Sequence, residues 1–256
     1  MSYREGLPEV LKGVTFATRP GEKVGIVGRT GAGKSSLLQA LFRIVELNAG
    51  TIAIDGRDIS EMGLDVLRKR LSVIPQDALL YAGTVRQNLD PTGDKSDAEL
   101  HSALSRAGLI AKPDAPQAHV DRFAKFKLDA SVADDGSNFS AGERQLVALC
   151  RALVKNSKVI ILDEATSSVD VETDSTVQKA IQEEFKDQSL LCVAHRLQTV
   201  CFYDRILVMD QGVVAEFDAP LVLFDRAGSI FRGMCDKAGL SRDDIVRIRV
   251  GAGKEV

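Results

Sequence analysis

Apolar residues recur along this chain in two rhythms. Short continuous runs of aliphatic and branched side chains at residues 23–27, 51–54, 71–74, 159–162, 190–194 and 205–209 have the length of buried strands. Elsewhere the spacing is helical. Leu37, Leu38, Leu41, Phe42 and Val45 form one such set, and Leu146, Val147, Leu149, Cys150, Leu153 and Val154 form another, each predicting a helix with one apolar side. The two rhythms alternate from about residue 10 to 74 and again from 142 to 216, which predicts an α/β fold with a mostly parallel sheet covered by helices. Between them, from about 84 to 138, the pattern is more polar. Leu100, Leu104 and Leu109 keep a loose helical spacing there, while Asp90-Pro91-Thr92-Gly93 and Lys112-Pro113-Asp114-Ala115-Pro116 interrupt it, so this stretch reads as an inserted helical lobe.

With 256 residues, 45% hydrophobic and 27% charged, the chain can bury a sizeable core and is expected to form one compact domain. A net charge of −3 offers no general field for nucleic acid or an anionic membrane, so no nucleic-acid partner is expected. Cys150, Cys192, Cys201 and Cys235 show no C-x-x-C pairing and read as buried, reduced thiols. No apolar run approaches the roughly 18 residues that would cross a bilayer, and the start of the chain does not resemble a signal peptide. These features give it a cytosolic character.

Chemistry enters where the first strand ends. Residues 28–35 satisfy G-x-x-x-x-G-K-[ST], with a strand before them and a helix after. Such a loop wraps backbone N–H groups of Gly28, Thr30, Gly31, Ala32 and Gly33 round phosphates. Lys34 then reaches the terminal phosphates, the Ser35 hydroxyl holds magnesium, and Ser36 follows in the helix whose positive end faces the anion. The bland alternative is a glycine-rich turn, but both flanks are correct. Gly251-Ala252-Gly253-Lys254 repeats the wording without the flanks, and reads as a frayed end.

Asp163 follows four apolar residues, placing its carboxylate at the carboxyl end of a strand, where open α/β sheets hold ligands and where it can bind magnesium through water. Next to it, Glu164 can orient or deprotonate an attacking water; in isolation it would be a surface acid. His195 and Gln76 also follow strands. Each is weak alone, and their weight lies in convergence on one sheet edge. Ser140 precedes the second helical set as an N-cap, with Glu143 completing an ordinary capping box. The same helix end, with Gly142, is also a second anion site.

In this order, over nearly the whole chain, the motifs resemble the nucleotide-binding domain of ATP-binding-cassette transporters, a P-loop NTPase fold with a mostly parallel sheet, an antiparallel β portion and an inserted helical subdomain. The resemblance implies a RecA-like core at about 1–83 and 141–240, a helical subdomain at about 84–140 and a C-terminal tail at 241–256. It makes 28–35 the Walker A loop, Gln76 the Q-loop glutamine and a metal contact, 139–143 the signature and 159–163 Walker B. Glu164 becomes the catalytic carboxylate, Ser167-Ser168-Val169-Asp170 the D-loop, His195 the switch histidine and Tyr3 the aromatic that stacks on adenine. Tyr3 to Pro8, residues 28–36 and Asn88-Leu89-Asp90-Pro91 look like the second such domain of subfamily C, the multidrug-resistance-associated proteins.

That likeness implies ATP and Mg2+ as ligands and ATP hydrolysis driving transmembrane export of organic substrates at the cytoplasmic face of a membrane. The implied partners are a second nucleotide-binding domain, met head to tail, and transmembrane domains. The alternative, within the same subfamily, is a nucleotide-gated regulatory domain of a channel with little hydrolysis. Two departures stand out: the usual signature is Leu-Ser-Gly-Gly-Gln, whereas Phe139, Ala141 and Glu143 occupy its first, third and fifth positions here. Glu143 near a γ-phosphate would be repulsive unless it points away or pairs with a neighbour such as Arg144. A strand usually precedes the position of Tyr3, so the chain reads as a fragment or an incomplete gene model.

Overall fold

The computed structural model describes residues 1–110, 123–163, 171–194 and 196–254. The expected positions Glu164, Asp170 and His195, the neighbouring Ser167, Ser168 and Val169, and the breaker at 112–116 lie outside the described residues. Two units make up the chain: residues 1–71 with 161–164 and 188–256, and residues 72–160 with 165–187.

The first unit is built on β1 (Lys23–Gly28), whose central residues are fully buried. Its parallel neighbour on one side is β8 (Ser189–Val193), with Lys23 opposite Leu190 and Ile26 opposite Val193. On the other side it pairs in parallel with β9 (Arg205–Asp210), from Val24 opposite Arg205 to Gly28 opposite Met209. Antiparallel to β9 runs β10 (Val213–Asp218). Strand order is β10-β9-β1-β8-β7-β4, where β7 (Val159–Asp163) and β4 (Leu71–Ile74) place Ile161–Asp163 and Leu71 in this unit. Runs that are apolar on both faces suit strands covered on both faces.

Sequence and structure differ in informative places. The run at 51–54 supplies only β2 (Ala53–Ile54), which pairs with β3 (Arg57–Asp58) in a separate two-stranded sheet. The helix after the loop, α1 (Lys34–Leu41), stops short of Val45. Arg43 ends it by adopting φ 48°, and its guanidinium donates to the carbonyls of Ile59 (2.8 Å) and Met62 (2.7 Å). Far along the chain, residues 251–254 are not frayed. They close a helix, Arg242–Gly251, and Lys254 Nζ reaches Asp204 Oδ1 at 2.7 Å.

The second unit is mainly helical. Val85–Leu89, Asp97–Arg106, Ala141–Lys155 and Val171–Glu184 are helices, and β5 (Gly83–Thr84) pairs antiparallel with β6 (Ser131–Val132). Leu100, Leu104 and Leu149 are buried to 1% exposure or less, as the apolar spacing required. Arg151 fastens the loop before the first of these helices, donating to the Leu79 carbonyl and to both oxygens of Asn88, each at 2.7 Å. All four cysteines are free and buried.

Candidate nucleotide site

Strand β1 carries the chain straight into the phosphate loop, and the loop is tied down by its own backbone. Ala32 N–H donates to the Arg29 carbonyl (3.1 Å), Gly212 N–H to the Ala32 carbonyl (3.1 Å) and Lys12 N–H to the Gly212 carbonyl (2.8 Å). Gly28 has no room for a side chain: a Cβ there would lie 2.3 Å from the Met209 carbonyl oxygen. Gly33, in a left-handed conformation, starts α1 and gives it no side-chain cap, so the first-turn N–H groups keep their positive end for another acceptor.

Lys34 is only 6% exposed, and its ammonium is cradled by the loop itself, donating to the carbonyls of Gly28 (2.8 Å) and Arg29 (3.2 Å). Burial pushes its pKa below the ordinary lysine value, and the charge of Asp163 opposes that shift. The Asp163 carboxylate, half-buried at the end of β7, therefore acts on the same pocket of charge. Thr30, Gly31 and Ser35 are exposed around it, while Ala32, Gly33 and Ser36 are buried. The Ser36 hydroxyl is hydrogen-bonded to the Tyr3 hydroxyl at 2.8 Å, and Tyr3 as a whole is 44% exposed. Lys34, Asp163, Ser35, Ser36 and Tyr3 thus belong to one unit. A depression of about 440 Å³ lined by Gln198, Leu240 and Arg247, in the same unit, contains none of these residues.

Gln76 and the Ser140 region belong to the second unit. Gln76 is exposed two residues past β4, as the sequence placed it. The preceding carbonyl, that of Pro75, accepts from Gln145 Nε2 at 3.0 Å, and Gln145 is 1% exposed. Sequence reasoning missed this anchor, because a glutamine among apolar neighbours on a helix gives no periodic signal.

Ser140 caps the helix Ala141–Lys155: its hydroxyl accepts from Glu143 N–H (3.3 Å), and its own N–H donates to Glu143 Oε2 (2.8 Å). Gly142 is buried in the first turn and Ser140 is exposed. The other Glu143 oxygen meets Lys125 Nζ at 2.5 Å. Arg144, the neighbour suggested by the sequence, is not that partner, because its Nη1 turns back to the Phe139 carbonyl at 2.8 Å. Burial raises the Glu143 pKa, but the hydrogen bonds from Lys125 and from the Ser140 N–H outweigh it and hold the carboxyl below its ordinary value.

Comparison with known proteins places these features in context. The ABC transporter family matches residues 11–167. The oligomycin resistance ATP-dependent permease YOR1 of Saccharomyces cerevisiae is 54% identical over 252 residues, which is 95% of this chain and 17% of that protein. The ABC-type transporter cicA of Emericella nidulans is 52% identical, over 96% of this chain and 18% of its own. ATP-binding cassette sub-family C member 3 of Mus musculus is 48% identical, over 93% and 15%. This chain therefore spans about one sixth of the length of these relatives. Among solved structures, a bacterial Atm1-family ABC exporter with ATP bound aligns with a TM-score of 0.81 at 33% identity, covering 94% of this chain and 41% of that one.

Proposed function

This chain belongs to the ABC transporter family, and from that premise we propose that it binds and hydrolyses ATP as the nucleotide-binding domain of a membrane exporter. The observation that carries the proposal is Lys34: a cation held in a glycine loop by two carbonyls, within the field of Asp163, at the start of a helix without a side-chain cap. A buried ammonium gains most when a polyanion takes up its charge, and the loop N–H groups point to the same ligand class. Tyr3, exposed and hydrogen-bonded to Ser36 of α1, is the surface on which adenine stacks.

The exposed Ser35 hydroxyl and the Asp163 carboxylate are hard oxygen donors of the kind Mg2+ prefers. These two would hold the ion, which when bound neutralises charge on the phosphate oxygens, and the family resemblance adds Gln76 as a further metal contact. To Glu164, next to Asp163 in the chain, the proposal gives the orienting of the attacking water, and to His195 the role of answering to the terminal phosphate. To Asp170, and to the Ser140, Gly142 and Glu143 end of the signature helix, the proposal gives the role of completing the nucleotide site of a second nucleotide-binding domain. The name of the Saccharomyces cerevisiae relative speaks of oligomycin resistance, and organic compounds are accordingly the cargo class proposed. Among the described residues no helix is long and apolar enough to cross a membrane; the proposal gives the passage for cargo to transmembrane domains of the exporter.

The test is Glu164→Gln in the assembled exporter. Phosphate release should stop while ATP binding, read by equilibrium binding of a labelled nucleotide, persists. Turnover that survives the substitution would remove Glu164 from the mechanism.

A further inference from the structure

Glu143 lies in the first turn of a helix whose end, on the reading above, meets the terminal phosphate of a nucleotide held by a partner domain. A loose carboxylate there would add negative charge where a polyanion must approach. It is not loose. One oxygen accepts the Ser140 N–H at 2.8 Å, and the other lies 2.5 Å from Lys125 Nζ.

The source of that cation is informative. At Ser96 the same capping device recurs, with Glu99 in the place of Glu143, and there the cation is the adjacent Lys95, at 3.1 Å. At Ser140 the adjacent cation, Arg144, is committed to the Phe139 carbonyl. Lys125 instead comes from a separate short turn, Ala124–Phe126, well upstream in the sequence. Its ammonium also sits 5.7 Å from the ring centroids of Phe126 and Phe139, which lie 5.6 Å apart. Phe139 and Glu143 are two of the positions at which this chain departs from the usual Leu-Ser-Gly-Gly-Gln. A leucine offers no ring face to a cation and a glutamine no charge, so both departures meet at one lysine.

We propose that Lys125 is a positioning residue for the signature helix: it neutralises Glu143, packs on Phe139, and so holds the first turn in a form in which Ser140 and Gly142 can approach a terminal phosphate. This rests on the reading that the helix end faces nucleotide. Phe139, Glu143 and Lys125 form one matched set, in which the lysine offsets a charge that the signature would otherwise present to the anion.

The experiment compares ATP turnover and KM of the assembled exporter carrying Lys125→Met, Lys125→Arg, or Lys125→Met with Glu143→Gln. Stranding the carboxylate in Lys125→Met should lower kcat/KM by about tenfold, less than a fully buried pair would give because both side chains are partly exposed. Lys125→Arg should retain most of the activity, and adding Glu143→Gln to Lys125→Met should recover most of the loss. A lysine needed only for its packing on the rings would not be rescued by removing the charge it pairs with. Activity of Lys125→Met within twofold of the unsubstituted protein, or a double variant no better than the single, would overturn the proposal. A second readout needs no turnover: the Glu143 carboxyl, followed by carbon NMR in the 256-residue chain, should titrate at higher pH in Lys125→Met, and an unmoved titration also overturns it. Turnover insensitive to Lys34→Ala would instead defeat the underlying nucleotide assignment, which separates the two failures.

Discussion

Replacing Lys34 by methionine removes a charge while keeping most of the side-chain volume, and the structure sets two opposing consequences. Without nucleotide, the substitution loses the hydrogen bonds to the Gly28 and Arg29 carbonyls, yet it also removes an ammonium that is 6% exposed and whose pKa burial has lowered. Two hydrogen bonds from a charged donor are worth on the order of 3 to 5 kcal/mol, and the desolvation relieved is of similar size, so the net change in folding stability should stay within about 2 kcal/mol. Nucleotide binding has no such compensation. Losing charge-assisted contacts to the phosphates should cost about 3 kcal/mol, a little over a hundredfold in Kd. Thermal unfolding and calorimetric titration with ATP on the same samples separate the two effects. An affinity loss below threefold, or a loss of stability as large as the loss of binding energy, would refute the argument that Lys34 is held in the loop for a ligand.

Asp163→Asn should leave ATP binding in EDTA nearly unchanged and abolish most of the gain on adding magnesium; a full magnesium effect in the variant would take Asp163 out of the metal site. Gly25→Ala would place a Cβ 2.7 Å from the Val200 Cβ and should destabilise the chain by roughly 2 kcal/mol, measurable by denaturant unfolding, with no effect expected through the nucleotide. The Glu22 carboxyl is held below the ordinary glutamate value: burial raises its pKa, but the Arg205 guanidinium at 2.6 and 2.7 Å and the Arg19 N–H at 2.7 Å outweigh burial. A lowered carboxyl pKa stabilises the fold above the unfolded value, and that contribution is lost as pH falls through the folded one. Unfolding followed below pH 4.5 should therefore show a loss that Glu22→Gln, already weaker at neutral pH, does not share; parallel profiles would contradict it.

How much was legible in the sequence varied with the range of the interaction. β1, the loop and the start of α1 were readable because each is specified locally, by a buried run, by glycines and by helical spacing. β4 was bounded correctly at Leu71–Ile74 for the same reason. The edge strand β10 was not located, since its residues are half-buried and mixed in polarity. Its signal was the turn: Asp210 pairs with Val213, and the two residues between, Gln211 and Gly212, both have positive φ, at 47° and 87°. That is the hairpin geometry usually announced by Asn-Gly, and glutamine in its first place disguised it. The helix Arg242–Gly251 carried a readable capping box at Ser241 and Asp244, and was overshadowed by the glycines that follow. Lys125 could not have been found at all, because its partners Phe139 and Glu143 are brought to it by the fold.

The capping boxes show why a local motif does not by itself define a site. Thr84 with Gln87, Ser96 with Glu99, Ser140 with Glu143 and Ser241 with Asp244 repeat one arrangement of side chain and backbone. In each, the residue at the third helical position reaches back to the cap N–H, so the carboxylate of Glu143 is turned toward its own helix by the same force that turns Glu99. Capping and anion binding therefore need not compete at Ser140: the cap draws the acid inward and a cation from another segment offsets it. What remains outward is the exposed serine and the positive end of a fifteen-residue helix, the longest run of aligned peptide dipoles among these capped helices. Glu99 pairs instead with Lys95, the residue just before its own cap, at 3.1 Å, and among the described residues no aromatic pair is recorded beside that lysine. The difference between a structural cap and a candidate ligand-facing one thus lies in the surroundings, not in the four residues that spell it.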